Sequence, residues 1–217
     1  AAPNADIVMI KLKGAKQYLR DYYLIPDDVP AYEEGDIMNA VSYCNRLAIL
    51  YQRPIVICLG LGTSYGNHTG DLPLSTFLDK IASFRNRSAV VCAGNEGQAA
   101  HHYFGRIERE EGVTSEVYED VEISVGANEK GFILELWGML PNVYWITLRS
   151  PSGEVRQGFR PGFGQSQTYQ FIYERTRVTL DTILVEPGSG EELFIMRFEN
   201  PVEGIWTVRV SLVSDAK

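Results

Sequence analysis

The 217-residue chain carries 28 acidic against 20 basic side chains, a formal net charge of -8. That surplus argues against a nucleic-acid backbone as its partner. Apolar residues at 45% and charged residues at 22% are ordinary for a globular protein, and no stretch is apolar and long enough to span a bilayer. The start lacks a basic region followed by an apolar run, which leaves export open. Cys44, Cys58 and Cys92 stand in apolar surroundings without a CxxC pair, so buried free thiols are expected rather than a disulfide or metal framework.

"ADIVMIKLK", Ala5 to Lys13, reads as a strand, and a long loop from Gly14 to Glu34 follows. Asp36 to Tyr51 then places Ile37, Val41, Cys44, Ala48 and Tyr51 on one helical face. The near-continuous apolar run "PIVICLGLG" has the pattern of a parallel strand buried on both faces. Leu74 to Phe84 predicts a second helix, with Leu74, Phe77, Leu78, Ile81 and Phe84 inward, Pro73 in its first turn and Asp71 or Ser75 as cap. The strand "SAVVCAG" comes next. Apolar strands joined through amphipathic helices imply a parallel α/β sheet.

Beyond Gly112 the helical period disappears. Strands are expected at Glu116 to Val125, Phe132 to Trp137, Val143 to Arg149, Gln167 to Tyr173, Arg177 to Val185, Leu193 to Glu199 and Ile205 to Val213. In the last, Trp206, Val208, Val210 and Leu212 share one face, with Thr207, Arg209 and Ser211 on the other. "SPSGE" and "EPGSGEE" supply turns. This is the pattern of an antiparallel sandwich or jelly roll. The expected domains are therefore 1–112 and 113–217, divided in the charged run "RIEREEGVTS".

Three groups could carry chemistry. "GTSYG", Gly62 to Gly66, fits G-x-S-x-G, but a nucleophile elbow enters its helix at once and here "NHTGDLP" intervenes; Ser64 reads as a turn or capping residue. Asn95 in "AGNEG" follows the carboxyl end of a parallel strand, where ligands meet open sheets. Its amide is either part of a plain turn or a neutral donor to an oxyanion. His101 and His102 are adjacent and point apart, with no ligand-spaced carboxylate or cysteine nearby, so packing or loop bonding is expected over a metal.

Residues 1 to 98 resemble the subtilisin family of serine peptidases in a single register. "AAPNADIVMIKL" is similar to the family's Ala-Pro-x-Ala segment and following strand, "DIMNAVSYC" to the helix before the substrate strand, "IVICLGLGTSYG" to that strand, and "VVCAGNEG" to the oxyanion block. The resemblance implies that Asn95 is the oxyanion-hole donor and that Ala93 and Gly94 form part of the primary specificity pocket. It further implies that Gly60, Leu61 and Gly62 pair with an extended peptide substrate, Thr63 and Ser64 lying in the binding loop. The family's Asp-Thr/Ser-Gly and His-Gly-Thr blocks would precede Ala1, and its Gly-Thr-Ser block is not reached by Lys217. The expected reading is a central piece of a larger endopeptidase, inactive by itself, whose partners are a peptide substrate and the remaining segments.

"LRDYYLIPDDVPAY" and the order of parts resemble the Csp-type subgroup linked to spore germination, with a jelly-roll domain inserted before the serine. "NPVEGIWTVRV" resembles the closing strands of subtilase-associated sandwiches. No cofactor is required; a structural calcium is compatible with the family, Asp27, Asp28, Glu33 and Glu34 being the carboxylates at hand. A secreted, cell-surface or spore location follows from the same resemblance. The alternative is a non-catalytic module in which Tyr144, Trp145, Phe159 and Phe163 recognise a glycan or protein and the α/β half is scaffold. Buried rings would instead mark a bracing insert.

Overall fold

The computed structural model describes residues 2–109, 115–160 and 162–214, the side chains of Phe163 and Ser214 excepted. Two compact units emerge: Ala1–Ser64 with His68–His101, and Tyr65–Asn67 with His102–Lys217. Residues 110–114, within the charged run expected to divide the chain, lie outside the described residues.

In the first unit, α1 (Gln17–Tyr22) is a short helix inside the stretch expected to be loop. The α2 helix (Glu34–Leu50) buries Val41, Cys44 and Ala48, and its first turn carries Glu34 and Asp36, which favour the positive end of the helix dipole. β1 (Ile55–Leu59) and β2 (Arg87–Val91) pair in parallel, Ile57 opposite Ala89, and α3 (Pro73–Ala82) connects them. Val41, Cys44, Ile57 and Ile81 form the core, against which Ile10, Phe77 and Leu78 pack. The inward face of each helix is therefore as expected except at its end, where Tyr51 is 66% and Phe84 49% exposed.

Three expectations for this unit need correction. Ala5 to Lys13 forms no strand: Ile10 packs on the core, but Ile7 and Met9 stand in solvent, and apolar alternation without a hydrogen-bonded neighbour does not make a sheet. Cys58 and Cys92 are exposed, and only Cys44 is buried. They sit on or beside strands covered on the Ile57 face alone, Val56 and Val90 being 67% and 53% exposed. Neither Asp71 nor Ser75 caps α3: the cap position is Leu72, and the Leu74 N–H donates instead to Glu34 Oε1 at 2.6 Å. A carboxylate from α2 thus satisfies a free donor at the start of α3. Glu34→Ala is expected to destabilise this unit by about 1 kcal/mol, seen as faster amide exchange along residues 73–82. Glu34→Gln retains an acceptor and most of the protection; equal exchange in Glu34→Ala would show that the contact contributes nothing.

The second unit is all strand. One sheet runs β3–β10–β5–β6 and the other β4–β9–β8–β7. The strands are β3 (Val117–Val125), β4 (Gly131–Gly138), β5 (Val143–Arg149), β6 (Val155–Phe159), β7 (Phe163–Gln170), β8 (Arg177–Ile183), β9 (Glu192–Glu199) and β10 (Gly204–Ser214). Every pairing is antiparallel, with first against last (β3 with β10) and second against second-last (β4 with β9). Both sheets contribute to one core: Ile146 and Leu148 of β5, Val178 and Leu180 of β8, Phe194, Met196 and Phe198 of β9, and Trp206 and Val208 of β10. Trp206 meets Phe171 and Phe198 edge-on at 5.0 and 5.5 Å, and its indole N–H donates to the Val202 carbonyl at 3.1 Å. The expected inward set on β10 is buried, from Trp206 at 1% to Val210 at 8% exposed. β6 was not anticipated, since "VRQGF" buries only Phe159 fully.

Candidate functional site

The carboxyl ends of β1 and β2 lie side by side, since parallel pairing brings Leu59 opposite Val91. The ladder continues one step further: the Cys92 N–H donates to the Leu59 carbonyl at 3.1 Å. Gly60, Leu61 and Gly62 leave β1 where Ala93, Gly94 and Asn95 leave β2. A Cβ at Gly62 would come 3.7 Å from Cys92 Sγ, which places the two exits next to each other. A Cβ at Gly60 or Gly94 would meet nothing within 4 Å, so the backbone is open to a ligand there. Gly94 has φ +83, a conformation that a side chain strains, so glycine is needed for the turn itself.

All six residues named from sequence are exposed, Leu61 at 38%. Among the described residues the Asn95 amide makes no hydrogen bond, while the turn around it closes through the Ala99 N–H to the Glu96 carbonyl at 2.9 Å. His101 Nδ1 lies 3.2 Å from Glu96 Oε2, a pairing that sequence order did not reveal. Ser64 lies in exposed loop, well before α3 begins at Pro73, with its carbonyl 3.4 Å from His68 Nε2. No group of three or more His, Cys, Asp or Glu that could hold a metal occurs among the described residues. No helix among them is long and apolar enough to cross a membrane.

In the second unit the four aromatic candidates separate. Phe159 is 1% exposed in the core, and Tyr144 packs against it. Trp145 stands on the outer face of its sheet beneath the Arg160 guanidinium, 4.0 Å from the ring centroid. The Phe163 side chain lies outside the described residues. One buried ring, one partly buried ring packed on the core and one ring capped by a guanidinium do not make an exposed aromatic row. Sequence reading also missed Glu135, whose Oε2 accepts from the Gly66 N–H at 3.0 Å and from Trp137 Nε1 at 3.1 Å, and Gly66 is buried. Only the odd carboxylate inside the apolar run "GFILELWG" signalled it.

No family model matches the chain, and no curated protein matches it by sequence. Its fold resembles that of the Clostridium perfringens CspB protease. The TM-score is 0.73 at 19% sequence identity over 88% of this chain. The chain spans 40% of that protein's solved chain.

Proposed function

We propose that this chain forms the central part of a subtilisin-like serine endopeptidase of the Csp type, supplying its oxyanion donor and substrate strand. The observation that carries the reading is the adjacency of the two strand exits: a glycine-flanked segment at Gly60–Gly62 beside a turn bearing, at Asn95, an amide that is unengaged among the described residues. An extended peptide adds to the first by main-chain hydrogen bonds, with Leu61 lining pockets and Gly62 leaving room for the peptide backbone. Ala93 and Gly94 border the primary specificity pocket. Asn95 Nδ2 then donates to the carbonyl oxygen as it becomes an oxyanion, which lowers the barrier because the interaction strengthens as charge develops.

The rest of the reaction needs a serine nucleophile, a histidine that takes its proton and an aspartate that fixes the imidazole tautomer. None of these blocks is recognised in the 217 residues. The fold likeness to a protease supports the reading, as do the sequence blocks in their order. The second unit is read as the jelly-roll insert of that subgroup, supported by its first-with-last and second-with-second-last pairing. The buried Phe159, with the partly buried Tyr144 packed against the same core, favours a bracing insert over a glycan-binding one.

The test compares unfolded casein incubated with the pure chain and with the natural polypeptide that contains it. The chain alone is expected to release no peptides, and the natural polypeptide to release them until a serine-directed phosphonate is added. Phosphonate-sensitive cleavage by the chain alone would refute the absence of a triad. An inert natural polypeptide would refute the peptidase reading.

A further inference from the structure

The outer face of the sheet β3–β10–β5–β6 carries a polar cluster that the peptidase reading does not use. Strand register aligns Asp120 with Arg209 and Arg209 with Thr147, and Thr207 with Arg149. Arg209 grips Asp120 as a fork, Nε to Oδ1 at 2.7 Å and Nη2 to Oδ2 at 2.8 Å. Arg149 is engaged far more weakly: its Nη2 lies 3.5 Å from Thr207 Oγ1 and 3.9 Å from Asp120 Oδ2, with the side chain 49% exposed. Together with Thr147, Gln157 and Val155 these residues line a pocket of about 130 Å³.

Two guanidinium groups and one carboxylate give this lining one net positive charge, on a chain whose net charge is -8. Asp120 is committed to Arg209, so Arg149 keeps N–H donors in the planar arrangement that a carboxylate matches two-pronged. Thr147 and Gln157 add neutral donors, and Val155, 42% exposed, offers an apolar contact for a short methylene stem. Glu122, the next outward residue on β3, lies across Thr207 from Arg149 and does not line the pocket.

We infer that this pocket is a docking site for an acidic side chain of an extended peptide, with Arg149 as the anchor. A pyranose ring would need an open aromatic face. Among the described residues Tyr118 and Trp145 on this surface each already have a guanidinium over the ring, Arg209 at 3.7 Å and Arg160 at 4.0 Å, although Tyr118 remains 47% exposed. None of these residues belongs to the peptidase reading, and the proposal does not depend on it.

The test titrates the whole chain with a blocked pentapeptide bearing one central glutamate, and with its glutamine counterpart, by calorimetry and by amide shifts. The glutamate peptide is expected to bind roughly tenfold more tightly, to shift Thr147, Gln157 and Thr207, and to weaken as salt is added. Arg149→Gln is expected to lose that tenfold difference, while Arg177→Gln on the other sheet keeps it. Equal binding of the two peptides by the natural chain would overturn the proposal, and this comparison needs no variant. An Arg149→Gln chain that melts normally and still discriminates would also overturn it. Tighter binding of a glucuronate oligosaccharide than of the glutamate peptide would overturn the assignment to a peptide.

Discussion

Asn95→Ala, placed in a polypeptide that joins this chain to the aspartate, histidine and serine blocks, is expected to lower kcat about 100- to 1,000-fold with KM little changed. The magnitude is that of removing the side-chain donor from subtilisin's own oxyanion hole, roughly 3 to 4 kcal/mol of barrier. The split between kcat and KM follows from when the bond matters. In the ground state the carbonyl oxygen is neutral and the amide gains little, whereas in the tetrahedral intermediate the oxygen carries a charge. Asn95 suits this role because its amide is neutral, exposed and unengaged among the described residues, beside a turn that Gly94 makes possible at φ +83. Asn95→Asp is the sharper control: it preserves size but turns the facing group into an anion, and it should be at least as damaging. An Asn95→Ala enzyme whose kcat stays within a factor of three would leave the residue as a turn former only.

What could be read in advance was whatever depends on local pattern. Helical spacing of Val41, Cys44 and Ala48 gave the buried face of α2, and alternation gave that of β10. Contacts between distant residues were not legible. The Glu34 carboxylate that satisfies the start of α3 is 40 residues from its partner, and Glu135 is 69 from the Gly66 amide it holds. Nothing in either neighbourhood names the other residue. The β6 edge strand escaped because a strand paired on one side needs little apolar surface, and its alternation is interrupted where the register with β5 shifts between Ile146 and Leu148. Ala5 to Lys13 erred in the opposite sense: the alternation is present, and Ile10 does turn inward, but a strand is a pairing and no pattern within one segment supplies its neighbour. The fork between Asp120 and Arg209 lies between these cases. Alternation put Arg209 on the outward face of β10, but only the register of β3 with β10 put Asp120 opposite it.

Glu192→Gln is expected to make the second unit more stable than the natural chain at pH 8, by about 3 kcal/mol, and no more stable near pH 4.5. Glu192 opens β9 with the same inward parity as Phe194, Met196 and Phe198, so strand geometry drives its carboxyl into the sandwich, where it is fully buried. Its Oε2 accepts the Tyr144 N–H at 3.2 Å; Oε1 has no hydrogen-bond partner among the described residues. Opposite it Gly138 leaves the space, since a Cβ there would come 3.1 Å from Oε2 and 2.8 Å from the Tyr144 ring. Burial disfavours the ionised form and pushes this carboxyl from 4.5 up to about 7, the Tyr144 N–H opposing in part. The sign follows. Below pH 4.5 the group is protonated whether folded or unfolded and costs nothing extra. Between 4.5 and about 7 the unfolded chain releases a proton that the folded chain retains, so stability falls as pH rises, and above 7 the loss is complete and constant. A rise of this size corresponds to about 3 kcal/mol. Asp120 runs the other way: the Arg209 hydrogen bonds hold its carboxyl below the usual range, so its contribution is present at neutral pH and lost in acid. The natural chain's own pH profile therefore mixes opposing slopes, and the difference between Glu192→Gln and the natural chain isolates one group. Glutamine keeps an acceptor for Tyr144 and cannot ionise. Urea unfolding followed by Trp206 and the other indoles at pH 4.5, 6 and 8 measures that difference; a gap that does not widen between pH 4.5 and 8 would show that Glu192 does not titrate inside the sandwich.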